Sequence, residues 1–239
     1  MKYGTQITAG TNISNPAKTN FTVSLVKGQD YDLLFWADKG DDQGADVYYN
    51  TSDLHNVVLG AYTGNDDGRD AFSKCVTLTN VTSDPSMSVQ LERPFAQLNI
   101  ITQDIDDIEA NSGTVKVVPD AISVAFTAPT AFNVKTQDAT ASAPFTSNVA
   151  PYYLTVGSQP EHYTLSMDYI LASKNQQDIV EVTLTAMKNS AVLNTQTFSN
   201  IPLQRNYRTN IKGNLLTTTG VFTVETAPAW TSPENDIIM

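Results

Sequence analysis

The sequence predicts an all-β protein built from two β-sandwich domains, and three observations carry that prediction. Apolar residues recur at every second position through much of the 239-residue chain, the period of strands that turn one face to a core. Clusters of Gly, Pro, Asn, Asp and Ser interrupt these runs at short intervals. Helical periodicity is nearly absent, and short strands between regular turns argue for sandwiches rather than alternating α/β units.

In chain order, alternation is visible in Phe21-Val23-Leu25, Tyr31-Leu33-Phe35-Ala37, Val76-Leu78, Met87-Val89-Leu91, Ala96-Leu98-Ile100, Val115-Val117 and Ile122-Val124-Phe126. Turn chemistry at Lys27-Gly28-Gln29-Asp30, Ser83-Asp84-Pro85-Ser86, Asn111-Ser112-Gly113 and Val118-Pro119-Asp120 separates the runs. One short helix is expected from Ser52 to Leu59, with Ser52 as N-cap, and a turn near Arg69-Asp70-Ala71-Phe72.

Between Phe132 and Ala150 the large apolar residues thin out. This stretch reads as a long loop or interdomain connection. A boundary near 147 then divides an N-terminal sandwich, 1–147, from a C-terminal one, 148–239. Beyond it, Tyr163 to Leu171 has apolar odd positions and polar even ones until Ile170, so one face is expected in the core and the other in solvent. In Ile179 to Ala186 the even positions point inward and Glu181, Thr183 and Thr185 point out. From Asn206 to Leu215 every even residue is polar or charged. That strand is strongly registered, because a one-residue slip would bury Arg208 and Lys212.

Charge narrows the function. With 14 Lys+Arg against 25 Asp+Glu the net charge is −11, which argues against nucleic acid as a partner, since phosphate neutralisation needs a basic face. Hydrophobic residues at 41% suffice for a core, and charged residues at 16% are too few for a disordered acidic chain. Cys75 is the sole cysteine and His55 and His162 the only histidines, so internal disulfides and thiolate-rich metal sites are excluded. No apolar stretch approaches a membrane span, and no leader is visible. The abundance of Thr, Asn and Ser favours an exported chain whose leader has been removed over a cytosolic one.

Acidic clusters at Asp38 to Asp46, Asn65 to Asp70 and Asp104 to Glu109 could suggest Ca²⁺ ligation or a carboxylate pair for glycoside hydrolysis. They lack the spacing for either, and are expected to be solvated, with Arg69 pairing a neighbouring carboxylate to anchor its loop. Cys75 is expected as a buried or half-buried thiol. Trp36 is assigned to the core. Tyr48 and Tyr49 are the candidate exposed aromatic contacts, although an extended backbone points them to opposite faces and leaves at most one outward. Tyr62, Tyr152 and Tyr153 complete the aromatic candidates. Hydrolase elbows, phosphate loops and zinc-protease helices are missing from the sequence, so no catalytic residue, cofactor or metal ligand is assigned.

Four segments carry a resemblance: Tyr31-Asp32-Leu33-Leu34-Phe35-Trp36-Ala37-Asp38, the Asn65…Arg69-Asp70-Ala71-Phe72 turn, Leu91 to Ile100 with its Arg93, Ala96 and Leu98, and Arg205 to Leu216. In this order they resemble the fimbrillin-like proteins of Bacteroidales, the type V pilins and their accessory or tip subunits. The resemblance implies two sandwiches of transthyretin-like topology and export as a lipoprotein precursor to the outer membrane and cell surface. It further implies assembly of a fimbrium by donor-strand exchange, in which an extended segment of one subunit fills a groove in another. Its implied partners are other fimbrial subunits and a host or bacterial surface protein or glycan, with membrane contact only through a lipid anchor. The donor candidate is Val221, Phe222, Thr223 and Val224, which could equally be the last strand of its own domain. Processing in that family follows a basic residue ahead of the N-terminal domain. The first arginine here is Arg69, so either the site lay upstream of Met1 or this subunit is not processed in that way. A non-enzymatic fimbrial subunit is the leading expectation, and a surface glycan-binding lipoprotein with an exposed aromatic platform is the alternative.

Overall fold

The computed structural model describes residues 20, 22–41, 45–104, 119–151, 154–156, 159–174, 178–216 and 222–228. The first half contributes β1 (Tyr31–Asp38), β2 (Tyr49–Asn50), β3 (Val57–Leu59), a 3₁₀ turn (Asp67–Arg69), β4 (Ala71–Leu78), β5 (Phe95–Thr102) and β6 (Ala121–Ala128). There follow β7 (Ala131–Asn133), β8 (Asp138–Thr140), β9 (Ala143–Val149), β10 (Leu154–Val156) and β11 (Gln159–Leu171). The chain closes with β12 (Asp178–Lys188), β13 (Ala191–Leu203), β14 (Tyr207–Gly213) and β15 (Phe222–Pro228). The protein is all-β.

A five-stranded sheet, β10-β11-β5-β14-β15, forms the middle of the molecule, and a four-stranded back sheet, β13-β12-β6-β9, packs on one face of it. Ala96, Leu98, Ile100 and Ile211 from the middle sheet meet Ile122, Val124, Val182, Leu184 and Phe198 from the back sheet in one buried cluster. The opposite face carries Phe95, Met167, Tyr169 and Leu171. These pack against Tyr49, Val57 and Phe132 of the small sheet β2-β3-β7-β8, with Leu34 and Trp36 of the β1-β4 pair alongside. Pairing is antiparallel except where β14 runs parallel to β5, in register from Arg208 opposite Gln97 to Gly213 opposite Thr102.

This layering corrects several readings. Strands from both sides of residue 147 share both large sheets: β5 pairs with β11 and β14, and β6 with β12. Position 147 itself lies inside β9, paired with Val124. The apolar-poor stretch is the β7-β8 hairpin and an edge strand, which need few large side chains because only one face is covered. The face of β11 assigned to solvent is buried, with Ser166 and Asp168 at 0% exposure. Likewise Arg208 and Asn210, on the polar face of β14, are each 3% exposed. Alternation identifies the two faces of a strand but does not tell a polar face in water from one under a second layer.

Smaller departures are local. Ser52 to Leu59 is a turn followed by β3, because Asp53 Oδ1 accepts from the His55 amide at 2.9 Å and its carbonyl from the Asn56 amide at 3.0 Å. Such Asx closures compete with helix. Residues 22–25 and 87–91 form no strand, and Met87 is exposed. Phe21 and Val115 to Val117 lie outside the described residues.

Candidate functional site

Beside β11 the 61–70 loop forms the most elaborate polar assembly among the described residues. Past its pairing with β10, β11 presents unpaired backbone at Met167, and Asn65 fills the place of a strand. The Asn65 amide donates to the Met167 carbonyl at 2.8 Å, and the Met167 amide donates to Asn65 Oδ1 at 2.7 Å. Asn65 does this at φ 54°, a left-handed conformation that Asn tolerates better than most residues. One residue earlier, Gly64 donates its amide to Ser147 Oγ at 2.8 Å. A Cβ on Gly64 would lie 2.6 Å from that oxygen and 2.7 Å from Asp168 Oδ1, so glycine is required for the close approach.

Asp168 is buried between two hydroxyls: Tyr62 donates to Oδ1 at 2.7 Å and Ser166 to Oδ2 at 2.6 Å. Burial pushes its carboxyl above the usual aspartate range, against the lowering effect of these bonds and of Arg69. Burial likewise raises the Tyr62 phenol, with Asp168 adding to it. Arg69 is 2% exposed, with its guanidinium 4.9 Å from the Tyr62 ring centre and 5.3 Å from that of Tyr48. It donates to the Ala61 carbonyl, while Nε and Nη1 have no hydrogen-bond partner. A buried cation between two rings is held by their quadrupoles as well as by charge.

The expected Arg69 ion pair is therefore replaced. Asp70 pairs instead with Arg93, whose Nε and Nη2 each donate over 2.7 Å to its two oxygens, the fork geometry of a strong pair. Asp66 caps the 3₁₀ turn through the Gly68 amide at 3.0 Å, and Asp67 accepts from Tyr169 at 3.0 Å. These acids are half-buried and bonded to protein groups rather than fully solvated. Asp104 is corrected in the same way: it is 0% exposed and accepts from the Thr102 hydroxyl and, at 3.0 Å, from the Leu216 amide. Asp106, Asp107 and Glu109 lie outside the described residues. In the first loop Asp46 accepts from Thr51 twice, at 2.6 and 2.9 Å, and Asp41 from the Ala45 amide at 2.7 Å. No group of three or more metal-ligating side chains comes together among the described residues.

The aromatic candidates pack inward. Tyr49 is 2% exposed, its hydroxyl donating to the Arg69 carbonyl at 2.6 Å, which corrects its reading as an exposed contact. Tyr48 is half-buried against Arg69 and Asp66. Trp36 meets Tyr49 edge-on at 5.2 Å and sits 6.3 Å from Phe132. Cys75 is half-buried, and burial raises its thiol. Tyr152, Tyr153 and Val221 lie outside the described residues.

Phe222, Thr223 and Val224 stand in β15, the edge strand of the middle sheet, antiparallel to β14 from Tyr207 opposite Pro228 to Gly213 opposite Phe222. Thr223 to Thr226 are exposed, while Phe222 reaches the core and meets the Phe198 ring edge-on at 4.9 Å. Lys212 and Glu225 pair across the ladder at 2.7 Å.

Sequence reasoning missed Arg69, Asp168, Asp104 and Arg205 as interior groups. Arg205, 4% exposed, donates to Gln137 at 2.6 Å and to Glu92 at 2.8 Å. For Asp168 the available signal was the density of polar residues on a strand whose other face is wholly apolar; Arg69, Asp104 and Arg205 lie outside the strands.

These features define a layered β-sandwich protein whose interior polar groups tie loops to strands. The chain belongs to the family of unknown function DUF6562, whose model matches residues 3–239. No curated protein matches it in sequence. Among solved structures it is similar to a candidate cell adhesion protein from Bacteroides ovatus, at 12% identity and TM-score 0.42, covering 88% of this chain and 72% of that one. It is also similar to a candidate adhesin from Bacteroides thetaiotaomicron, at 9% identity and TM-score 0.47, covering 87% of this chain and 80% of that one.

Proposed function

We propose that the chain is a non-enzymatic structural or adhesive subunit of a cell-surface fimbria, related to the fimbrillin-like proteins, and that β15 is its exchangeable strand. The observation that carries the reading is the placement of β15. It closes the edge of the middle sheet through one ladder, exposes its residues from Thr223 to Thr226, and reaches the core through Phe222. Main-chain pairing supplies affinity for such a segment, and a single pocketed ring sets its register. The four segments that carry the resemblance support the same reading: Arg93 anchors the loop turn, and Ala96 and Leu98 face the main core. Export to the outer surface and a lipid anchor on the precursor belong to this proposal.

The test is a chain ending at residue 216 mixed with a peptide of residues 217–239. A complex that survives heat and detergent is expected, and Phe222→Ala in the peptide should weaken it. A folded truncated chain that ignores the peptide and stays monomeric would overturn strand exchange.

A further inference from the structure

We propose that the outer edge of β13 is a self-recognition surface at which two copies of this chain pair antiparallel about a two-fold axis at Gln196. Among the described residues nothing pairs with β13 on its outer side. Long edges in soluble proteins are usually guarded by charge or proline. Most other edges carry such guards: β15 has Glu225 and Pro228, β9 has Pro144 and β8 has Asp138, while the edge strands β10 and β2, which hold neither, are only three and two residues long. Ala191 to Leu203 holds no charged residue, and its one proline, Pro202, stands at the far end. The hairpin end of the strand exposes Val192 at 63% and Leu193 at 43%.

Register fixes where a second copy fits. Pairing between β12 and β13 shifts between Ala186 and Met187 and again between Val180 and Val182, leaving Asn194 to Phe198 as the regular stretch opposite Val182 to Ala186. Its inward side is already committed, since Asn194 and Gln196 both donate to the Leu215 carbonyl, at 3.0 and 2.5 Å. Its outward side shows Thr195 and Thr197, whose hydroxyls lie 3.4 Å from Thr185 and 3.3 Å from Thr183.

A two-fold axis at Gln196 places Thr195 opposite Thr197 of the second copy, and the reverse, so the same hydroxyl ladder continues across the contact. Such pairs are favourable between strands, and a strand without charge meets no like charge in its own mate. This self-match selects a second copy over a charged peptide. Each copy also carries a net charge of −11, so salt should strengthen the pair by screening the repulsion, the opposite of its effect on a charged partner.

Sedimentation equilibrium of the full chain tests this. A concentration-dependent dimer is expected, tighter in high salt than in low. The double variant Thr195→Lys with Thr197→Lys sets lysine against lysine twice and should weaken it at least about tenfold. Thr195→Lys with Thr197→Glu sets opposite charges together and should return it to within about threefold of the natural chain. Both positions are exposed, and unchanged thermal unfolding checks that the variants fold. A chain that stays monomeric at millimolar concentration in both salts would overturn the proposal, as would a dimer indifferent to both variants.

Discussion

The two faces of the middle sheet are filled by different means. Toward the back sheet, Ala96, Leu98, Ile100 and Ile211 enter a cluster of aliphatic and phenyl side chains, where volume and shape decide the fit. Toward the small sheets, Gln97, Arg208 and Asn210 are also buried, and Asn99 donates to Asn210 at 2.8 Å. There each polar group needs a partner in place. A face of the first kind tolerates apolar side chains of similar volume. A face of the second kind, like the Arg69 and Asp168 assembly at the sheet margin, depends on individual atoms.

The largest effect should come from the apolar side. Phe198→Ala is expected to cost about 3–5 kcal/mol in urea unfolding through lost burial and the cavity left behind; a cost below about 1 kcal/mol would mean the layer is not close-packed. Arg69 sharpens the contrast. Arg69→Ala should cost about 2–4 kcal/mol by emptying the space between Tyr48 and Tyr62, whereas Arg69→Met should stay within about 1 kcal/mol, because an apolar side chain of similar length fills that space, removes the two unpartnered nitrogens and gives up only the bond to the Ala61 carbonyl. Equal losses in the two variants would show that the charge matters more than the volume. Gly64→Ala should cost about 1–3 kcal/mol by pressing a methyl group into Ser147 and Asp168, and a neutral result would show that the loop can retreat.

The smallest effect is a pH dependence. Asp168 titrates above the value of an unfolded aspartate, about 3.9, so between the two the native chain holds a proton the unfolded chain has released. Its contribution is therefore greatest in acid and is lost as pH rises through that window. Asp38 and Asp67, raised by burial, act in the same direction. Glu92, lowered by its bond to Lys74 and by nearby Lys74 and Arg205 charge, acts in the opposite one. Asp168→Asn should lessen the decline in melting temperature above pH 4 without removing it. An unaltered profile would place the titration elsewhere.

Much of the fold was legible because alternation reports which side chains share a face. β1, β5, β6, β11, β12 and β14 all fall on runs of period two. What alternation cannot encode is how many layers stand over a sheet: Ser166 and Arg208 look solvated from sequence but are buried, Ser166 opposite Ile100 on the face that meets the back sheet and Arg208 opposite Gln97 on the face that meets the small sheets. The loop acids were hidden for a related reason. Asp70 finds Arg93 and Asp104 finds the Leu216 amide across 23 and 112 residues, distances over which local spacing carries no information. Arg69 was singled out from sequence, but its rings come from Tyr48 and Tyr62, placed by the fold.

The Asn65 cap has a consequence for how the molecule opens. Met167 owes both backbone bonds on that side to one asparagine in a loop, so lifting the loop should expose its amide to solvent without melting the sheet. Amide hydrogen exchange should show Met167 opening locally, at a lower free energy than Leu98 or Leu184 in the core. Asn65→Ala should speed exchange at Met167 while leaving those core amides governed by global unfolding.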